Sequence, residues 1–330
     1  MPNIHGIHHV TAITSSAEKI YHFFTALLGL RLVKKTVNQD DIQTYHLFFA
    51  DDLGSPGTDM TFFDFKGSAK ALRGANEIAR TGFRVPSDAA LNYWVKRFNH
   101  YNITHEGVNT LFGVKVLPFE DFDGQRYILF SDEHNEGLAS GTPWKNGPVP
   151  LEYALTGLGP VFFEVSDPAL MHHILTGILG MQQEAQEAEK TLYTMGEGGN
   201  GARVIVTQSQ TKQRAIQGYG AVHHVAFRIE DKASLEAWIQ HFESHSIRHS
   251  GYVDRFYFKS LYTRLYPGIL FELATDGPGF IDEDESYETL GETLALPPAF
   301  KAYRKEVEAA VRPFDTSQTN QPKVKETFDA

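Results

Sequence analysis

The sequence predicts an α+β protein of four βαβββ modules, grouped into two domains and followed by a C-terminal tail. Three observations carry this. A short strand, a helix-period segment and several strands with turn signals recur roughly every 63 to 77 residues, the mark of an internally duplicated fold. Copies one and three share the helix endings TALLGL and TGILGM, whereas copies two and four share RFNHYNI and HFESHSI. Gly and Pro cluster in GTPWKNGPVPLEY, residues 141–153, which reads as a linker between two paired units.

The first module, residues 5–66, opens with GIHHVTAI. Ser16 is placed to cap a helix whose apolar stripe is Ile20, Phe23, Phe24, Leu27 and Leu28, with Gly29 as its stop. Aromatic-rich strands follow at 44–49 and 60–65 around the turn-rich DDLGSPGTD. The second module, 78–134, places Pro86-Ser87-Asp88 at a strand-to-helix junction, with Leu91, Trp94, Val95 and Phe98 on one helical face. The third, 153–210, runs from GPVFFEV to ARVIVTQ, and its GEGGNG reads as a hairpin turn. The fourth, 219–276, begins at AVHHVAFRI and closes with ILFELAT. The two domains are thus expected at 1–140 and 150–280, and the acidic, then helical, tail at 281–330. That tail is compatible with disorder, a lid or a strap over the body.

Composition narrows the function. A net charge of -11 gives no footprint for nucleic acid or an anionic membrane. No stretch reaches membrane-span length and the N-terminus lacks signal-peptide character, so a cytoplasmic location is expected. Without cysteine, a metal site has to use histidine and carboxylate. No P-loop or Rossmann fingerprint follows a strand.

The repeats supply their own alignment. It puts His9, Arg80, Pro160 and His224 at one equivalent position, so only modules one and four carry histidine there. Successive strand side chains face opposite ways, so one histidine of His8-His9 and one of His223-His224 is expected to enter a common cavity. Glu272 is flanked by Leu270, Phe271, Leu273 and Ala274, in a strand that should be buried. A buried carboxylate needs a positive partner. Either a salt bridge to Arg264 or Arg255 supplies it, or a metal shared with His9 and His224 does. Two imidazoles and one carboxylate with three positions open form the facial set of non-haem Fe(II) oxygenases. Asp64 in FFDF is a competing carboxylate ligand. His172, His173, His100, His105, His245 and His249 have no partner at ligand spacing and read as solvated or structural.

GIHHVTAI, YHLFFADDLGSPGTDMTFF, the second HHVAF and LYPGILFELATDGPGF with the acidic DEDE resemble the vicinal oxygen chelate superfamily, over roughly residues 5–300. That superfamily holds glyoxalase I, bleomycin-resistance proteins and extradiol dioxygenases, and the hydroquinone-type ring-cleaving dioxygenases are the most similar branch. The resemblance implies glyoxalase-like domains with cupped mixed sheets, and His9, His224 and Glu272 as ligands of Fe(II), with Mn(II) as the alternative ion. It places Tyr262 and Arg255 against substrate or the reacting oxygen, with His8, Thr11 and His223 as lesser neighbours. The implied reaction is extradiol-type cleavage of a hydroquinone or catechol-like diol with O2. A glyoxalase-like metal-dependent lyase or isomerase, and a metal-free small-molecule binder, are the alternatives. Modules one and four then have to build one cavity together, within a subunit or across a swapped homo-oligomer; the first arrangement is expected.

Overall fold

The computed structural model describes residues 2–328. The first module folds as β1 (Gly6–Ile13), α1 (Ala17–His22), β2 (Arg31–Asn38), β3 (Asp41–Ala50) and β4 (Asp59–Phe63). The second follows as β5 (Glu77–Val85), α2 (Asp88–His100), β6 (Asn109–Leu111), β7 (Val114–Glu120) and β8 (Arg126–Ser131). The third is β9 (Gly157–Val165), α3 (Pro168–His173), β10 (Gln182–Glu187), β11 (Lys190–Thr194) and β12 (Arg203–Gln208). The fourth is β13 (Ala221–Ile229), α4 (Lys232–Ser244), β14 (Val253–Asp254), β15 (Lys259–Tyr266) and β16 (Ile269–Thr275), and the tail carries α5 (Arg304–Ala310).

The helices start where side-chain caps allow. Ser16, Ser87, Asp167 and Asp231 each accept a backbone N–H of the first turn, satisfying donors that the helix itself leaves open. In modules one and three the shared TALLGL and TGILGM endings have a physical counterpart. There the helix widens into a π turn, at Phe23–Leu27 and Ile174–Ile178, before a left-handed glycine, Gly29 or Gly180, ends it. GEGGNG is longer than a tight hairpin turn, because a short 3₁₀ turn at Asn200–Ala202 is folded into the β11–β12 connection.

The strands form two mixed eight-stranded sheets, ordered β14-β15-β16-β13-β1-β4-β3-β2 and β10-β11-β12-β9-β5-β8-β7-β6. Each sheet joins strands from both halves of the sequence, through antiparallel pairing of β1 with β13 and of β5 with β9. On the first sheet Ile7, Val10 and Ala12 face the main core, together with Phe24, Phe83, Trp94 and Trp238. Residues of opposite parity, including Phe48, Ala226 and Ala274, meet Tyr257, Phe258 and Phe280 in a smaller cluster on the other, concave face.

The tail is a strap. Lys34, fully buried on β2, pairs with Asp282 at 3.2 Å and Glu285 at 2.6 Å. Further along, Asn320 accepts a hydrogen bond from Arg31 Nε, and Glu326 pairs with Arg97 at 2.6 Å. None of residues 281–328 lines the concave cavity described next.

Candidate metal centre

The central strands β1 and β13 each carry one extra residue at the same place. Ile7 pairs with Phe227 and His9 with Ala226, which leaves His8 outside the ladder. Val222 pairs with Ala12 and His224 with Thr11, which leaves His223 outside it. These β-bulges break the expected alternation and bring the two rings of each pair into contact; His9 lines the cavity described below without His8, whereas His223 and His224 both line it. A bulge puts two successive residues opposite one partner and re-aims their side chains. His8 Nδ1 therefore lies 2.9 Å from His9 Nδ1, and His223 Nδ1 lies 2.8 Å from His224 Nδ1.

The outer nitrogens of His9 and His224 converge. Their Nε2 atoms are 3.3 Å apart, and Glu272 Oε2 stands 3.1 Å from the first and 2.9 Å from the second. Register places Glu272 there, since β16 pairs in parallel with β13 and sets Glu272 beside Ala226, itself the partner of His9. His9, His224 and Glu272 are all buried. Burial alone would raise the Glu272 carboxyl, but the two imidazoles beside it win and hold it well below the usual carboxylate range. Ser260 Oγ donates to Glu272 Oε1 at 2.5 Å and fixes its plane. Neither Arg255 nor Arg264 pairs with Glu272: Arg255 pairs with Asp40 at 2.9 Å. Asp64 is also elsewhere, accepting the Tyr45 N–H at 2.7 Å and lining a separate surface cavity.

The three ligand-type atoms fit one metal ion. Oε2 is buried and accepts no hydrogen bond from the described residues, although two ring nitrogens lie within reach; the atoms surround a point instead of bonding pairwise. Two atoms bound to one ion at about 2.0–2.2 Å and at right angles would stand roughly 3 Å apart, which matches the separations above. With Nε2 as the ligand atom, each ring keeps its proton on Nδ1 and donates it to the neighbouring bulge histidine. His8 passes the pattern on through an Nε2–H donated to the Thr275 carbonyl at 3.0 Å, so the tautomer is fixed from behind.

A cavity of about 310 Å³ opens on this group, walled by Phe48, Phe63, Phe65, Tyr257 and Phe258, with His46, Arg255 and Tyr262 as polar groups. Tyr262 pairs across the sheet with Glu272, and Arg255 Nε donates to its hydroxyl at 3.1 Å. Burial and the Glu272 charge raise the Tyr262 phenol, so it stays protonated. Thr11 Oγ1 lies 3.1 Å from His224 Nε2 and 2.7 Å from Thr61 Oγ1, which in turn meets His46 Nε2 at 2.9 Å. His46 and Ser260 escape sequence reasoning. A lone histidine in YHLFF has no repeat partner, but its even spacing from Phe48 on β3 puts both on the concave face. Burial foremost lowers the His46 imidazole well below its usual range and keeps it neutral.

The glyoxalase/bleomycin resistance protein/dioxygenase superfamily profile matches residues 6–135 and 157–280. A Bacillus subtilis (strain 168) protein named "Putative ring-cleaving dioxygenase MhqA" is 43% identical over 94% of this chain and 99% of its own. Chlorohydroquinone/hydroquinone 1,2-dioxygenase of Sphingobium indicum is 30% identical over 92% of this chain and 95% of its own. Among solved structures, a "putative dioxygenase" from Bacillus subtilis subsp. subtilis str. 168 superposes with a TM-score of 0.88 at 33% identity, over 96% of this chain and 99% of that one. Glyoxalase I from Zea mays shares the fold, with a TM-score of 0.57 at 15% identity over 82% of this chain and 92% of that one. Since the profile matches both halves of the chain and the relatives match it nearly end to end, the chain belongs to the glyoxalase/bleomycin resistance protein/dioxygenase superfamily.

Proposed function

We propose that this chain, a ring-cleaving dioxygenase, holds Fe(II) through His9, His224 and Glu272 and opens the ring of a hydroquinone-type aromatic diol with O2. One observation carries the reading: a buried His-His-Glu set opens directly on an aromatic-walled cavity of about 310 Å³. The names of the full-length relatives support the ring-cleaving class, and that of the Sphingobium enzyme supports a para-diol. Convergence of His9 on His224 favours it over a metal-free binder, and the position of Asp64 removes the fourth ligand that a lyase would draw from it.

Held by His9, His224 and Glu272, the ion would supply Lewis acidity that eases loss of a phenolic proton from the diol. The chain's own residues do the rest. Phe48, Phe63 and Phe258 hold an arene by apolar contact, and the cavity walls keep bulk water off it. His46 is neutral, its Nε2 engaged by Thr61 and its Nδ1 without a partner among the described residues, so Nδ1 is placed to accept a hydrogen bond from a ring hydroxyl and orient it. Tyr262 keeps its proton, and Arg255 Nε donates to the phenol oxygen, leaving the O–H free to turn to the substrate as general acid. The Arg255 guanidinium also steadies negative charge that develops beside it.

Oxygen uptake after anaerobic purification tests this, with hydroquinone and catechol each assayed metal-free and with Fe(II) or Mn(II). Uptake with hydroquinone that requires Fe(II) is expected. Tyr262→Phe should lower kcat about 100-fold with KM little changed, in line with loss of one general acid. No uptake with either diol under any loading would overturn the reading.

A further inference from the structure

We infer that Arg248 and Arg264 form a subsite for a carboxylate carried on the aromatic substrate, at the mouth of the reaction cavity; the inference rests on the diol reading above. A second cavity, about 650 Å³ and open to solvent, is lined by Arg248, His249, Thr263 and Arg264, and shares Tyr262 and Leu270 with the reaction cavity. The two spaces are therefore adjacent across the Tyr262 ring.

The arginines stand out by their lack of partners. Of the chain's 14 arginines, ten lie within 4.0 Å of a carboxylate among the described residues. That leaves four, and two of them line this one cavity. Both are exposed, and neither guanidinium makes a hydrogen bond to the described residues. This is unusual in a chain with net charge -11, where carboxylates are in excess.

Strand register then brings the pair together. His249 bridges Thr263 in antiparallel fashion, and Thr263 Oγ1 donates to the Arg248 carbonyl at 2.9 Å, so Arg248 sits across from Arg264. Like charges directly opposite on a sheet destabilise it. Two guanidinium forks side by side match the two oxygens of a carboxylate, which cancels that repulsion. Arg264 follows Tyr262 by two residues on β15, about 6.5–7 Å along the strand, and both side chains line this second cavity. A ring held beside Tyr262 reaches the arginines through a chain of two or three carbons.

The test compares 3-(2,5-dihydroxyphenyl)propanoate with its methyl ester. Binding is measured anaerobically by calorimetry on the metal-loaded protein, and kcat/KM by oxygen uptake, for the wild type and for Arg248→Gln/Arg264→Gln. The wild type should prefer the acid by tenfold to about 100-fold, the range of one or two charge-assisted hydrogen bonds at an exposed site. The double variant should show a ratio of about threefold or less, and added salt should shrink the wild-type ratio. A wild-type ratio near one, no binding of either compound, or a preference that survives the double substitution would each overturn the subsite. Acid-selective binding without turnover leaves the subsite standing and removes the dioxygenase reading, whereas turnover of both compounds at equal efficiency does the reverse.

Discussion

Replacing Glu272 by Gln keeps the shape of the side chain and removes the charge of a residue with no exposed surface. Oε2 stands 3.1 and 2.9 Å from two ring nitrogens and accepts no hydrogen bond from the described residues, so its role is that of an anionic ligand. Removing one member of a buried charge set costs about 3–5 kcal/mol, which is a factor of about 10²–10⁴ in metal affinity. The assay is the increase in Tm on adding Fe(II) or Mn(II) under nitrogen. At a free metal concentration of about 100 times Kd, the wild type gains roughly 2.7 kcal/mol, or about 4 °C for a chain of this size. A thousandfold loss of affinity at the same concentration leaves less than about 0.1 kcal/mol, a shift too small to see. Subtracting the metal-free Tm of each protein removes whatever the substitution does to the fold. Ser260→Ala, which frees Oε1 but keeps the charge, should cost only about tenfold to 100-fold in affinity. A Glu272→Gln protein that keeps more than half of the metal-induced shift would refute the assignment of Glu272 as a ligand.

His8→Ala removes the acceptor of the His9 Nδ1–H, so metal affinity should fall about tenfold to 100-fold, read by titration of the metal-free protein with Mn(II). His46 has a folded pKa well below its usual value, burial being the main cause, so its contribution to stability is complete above about pH 6.5 and is lost as pH falls toward the folded value. His46→Gln should therefore spare about 2 kcal/mol of the stability that the wild type loses between pH 7 and pH 5, measured by urea unfolding at both; equal losses would argue against a neutral buried imidazole. Lys34→Met strands Glu285 and should destabilise the protein by about 3–5 kcal/mol, and adding Glu285→Gln should restore most of that in the same urea measurement.

Much of this architecture is legible in the residues. Period-two strands and capped helices announce the four βαβββ modules, and the repeat of HHV at one module position picks out His9 and His224, which the structure brings together with Glu272. The bulges at His8 and His223 are not legible. Strand parity assumes an unbroken ladder, and the one extra residue that breaks it leaves no mark in composition or period, so His8 and His223 read as facing away when they in fact brace the ligand rings. The π turns are hidden for a related reason, since a helix with one residue added to a turn keeps much of its apolar stripe. His46 and Ser260 sit on the concave face by parity alone, and parity does not rank them among the other polar residues there. The tail is ambiguous in sequence because its acidic run finds its counter-charge on Lys34, about 250 residues upstream.

The pairing of β1 with β13 ties together histidines 215 positions apart. During synthesis the first module leaves the ribosome with its imidazole in place and nothing to share it with, until the last strands of the fourth module arrive. Closing so long a loop is slow, because chain entropy is lost before any contact repays it. An ion that binds only the closed arrangement adds its free energy after that step and acts mainly on the unfolding rate. Metal supply should therefore govern how long a finished molecule survives more than how fast it forms, and a chain cut short before residue 272 cannot be rescued by metal at all.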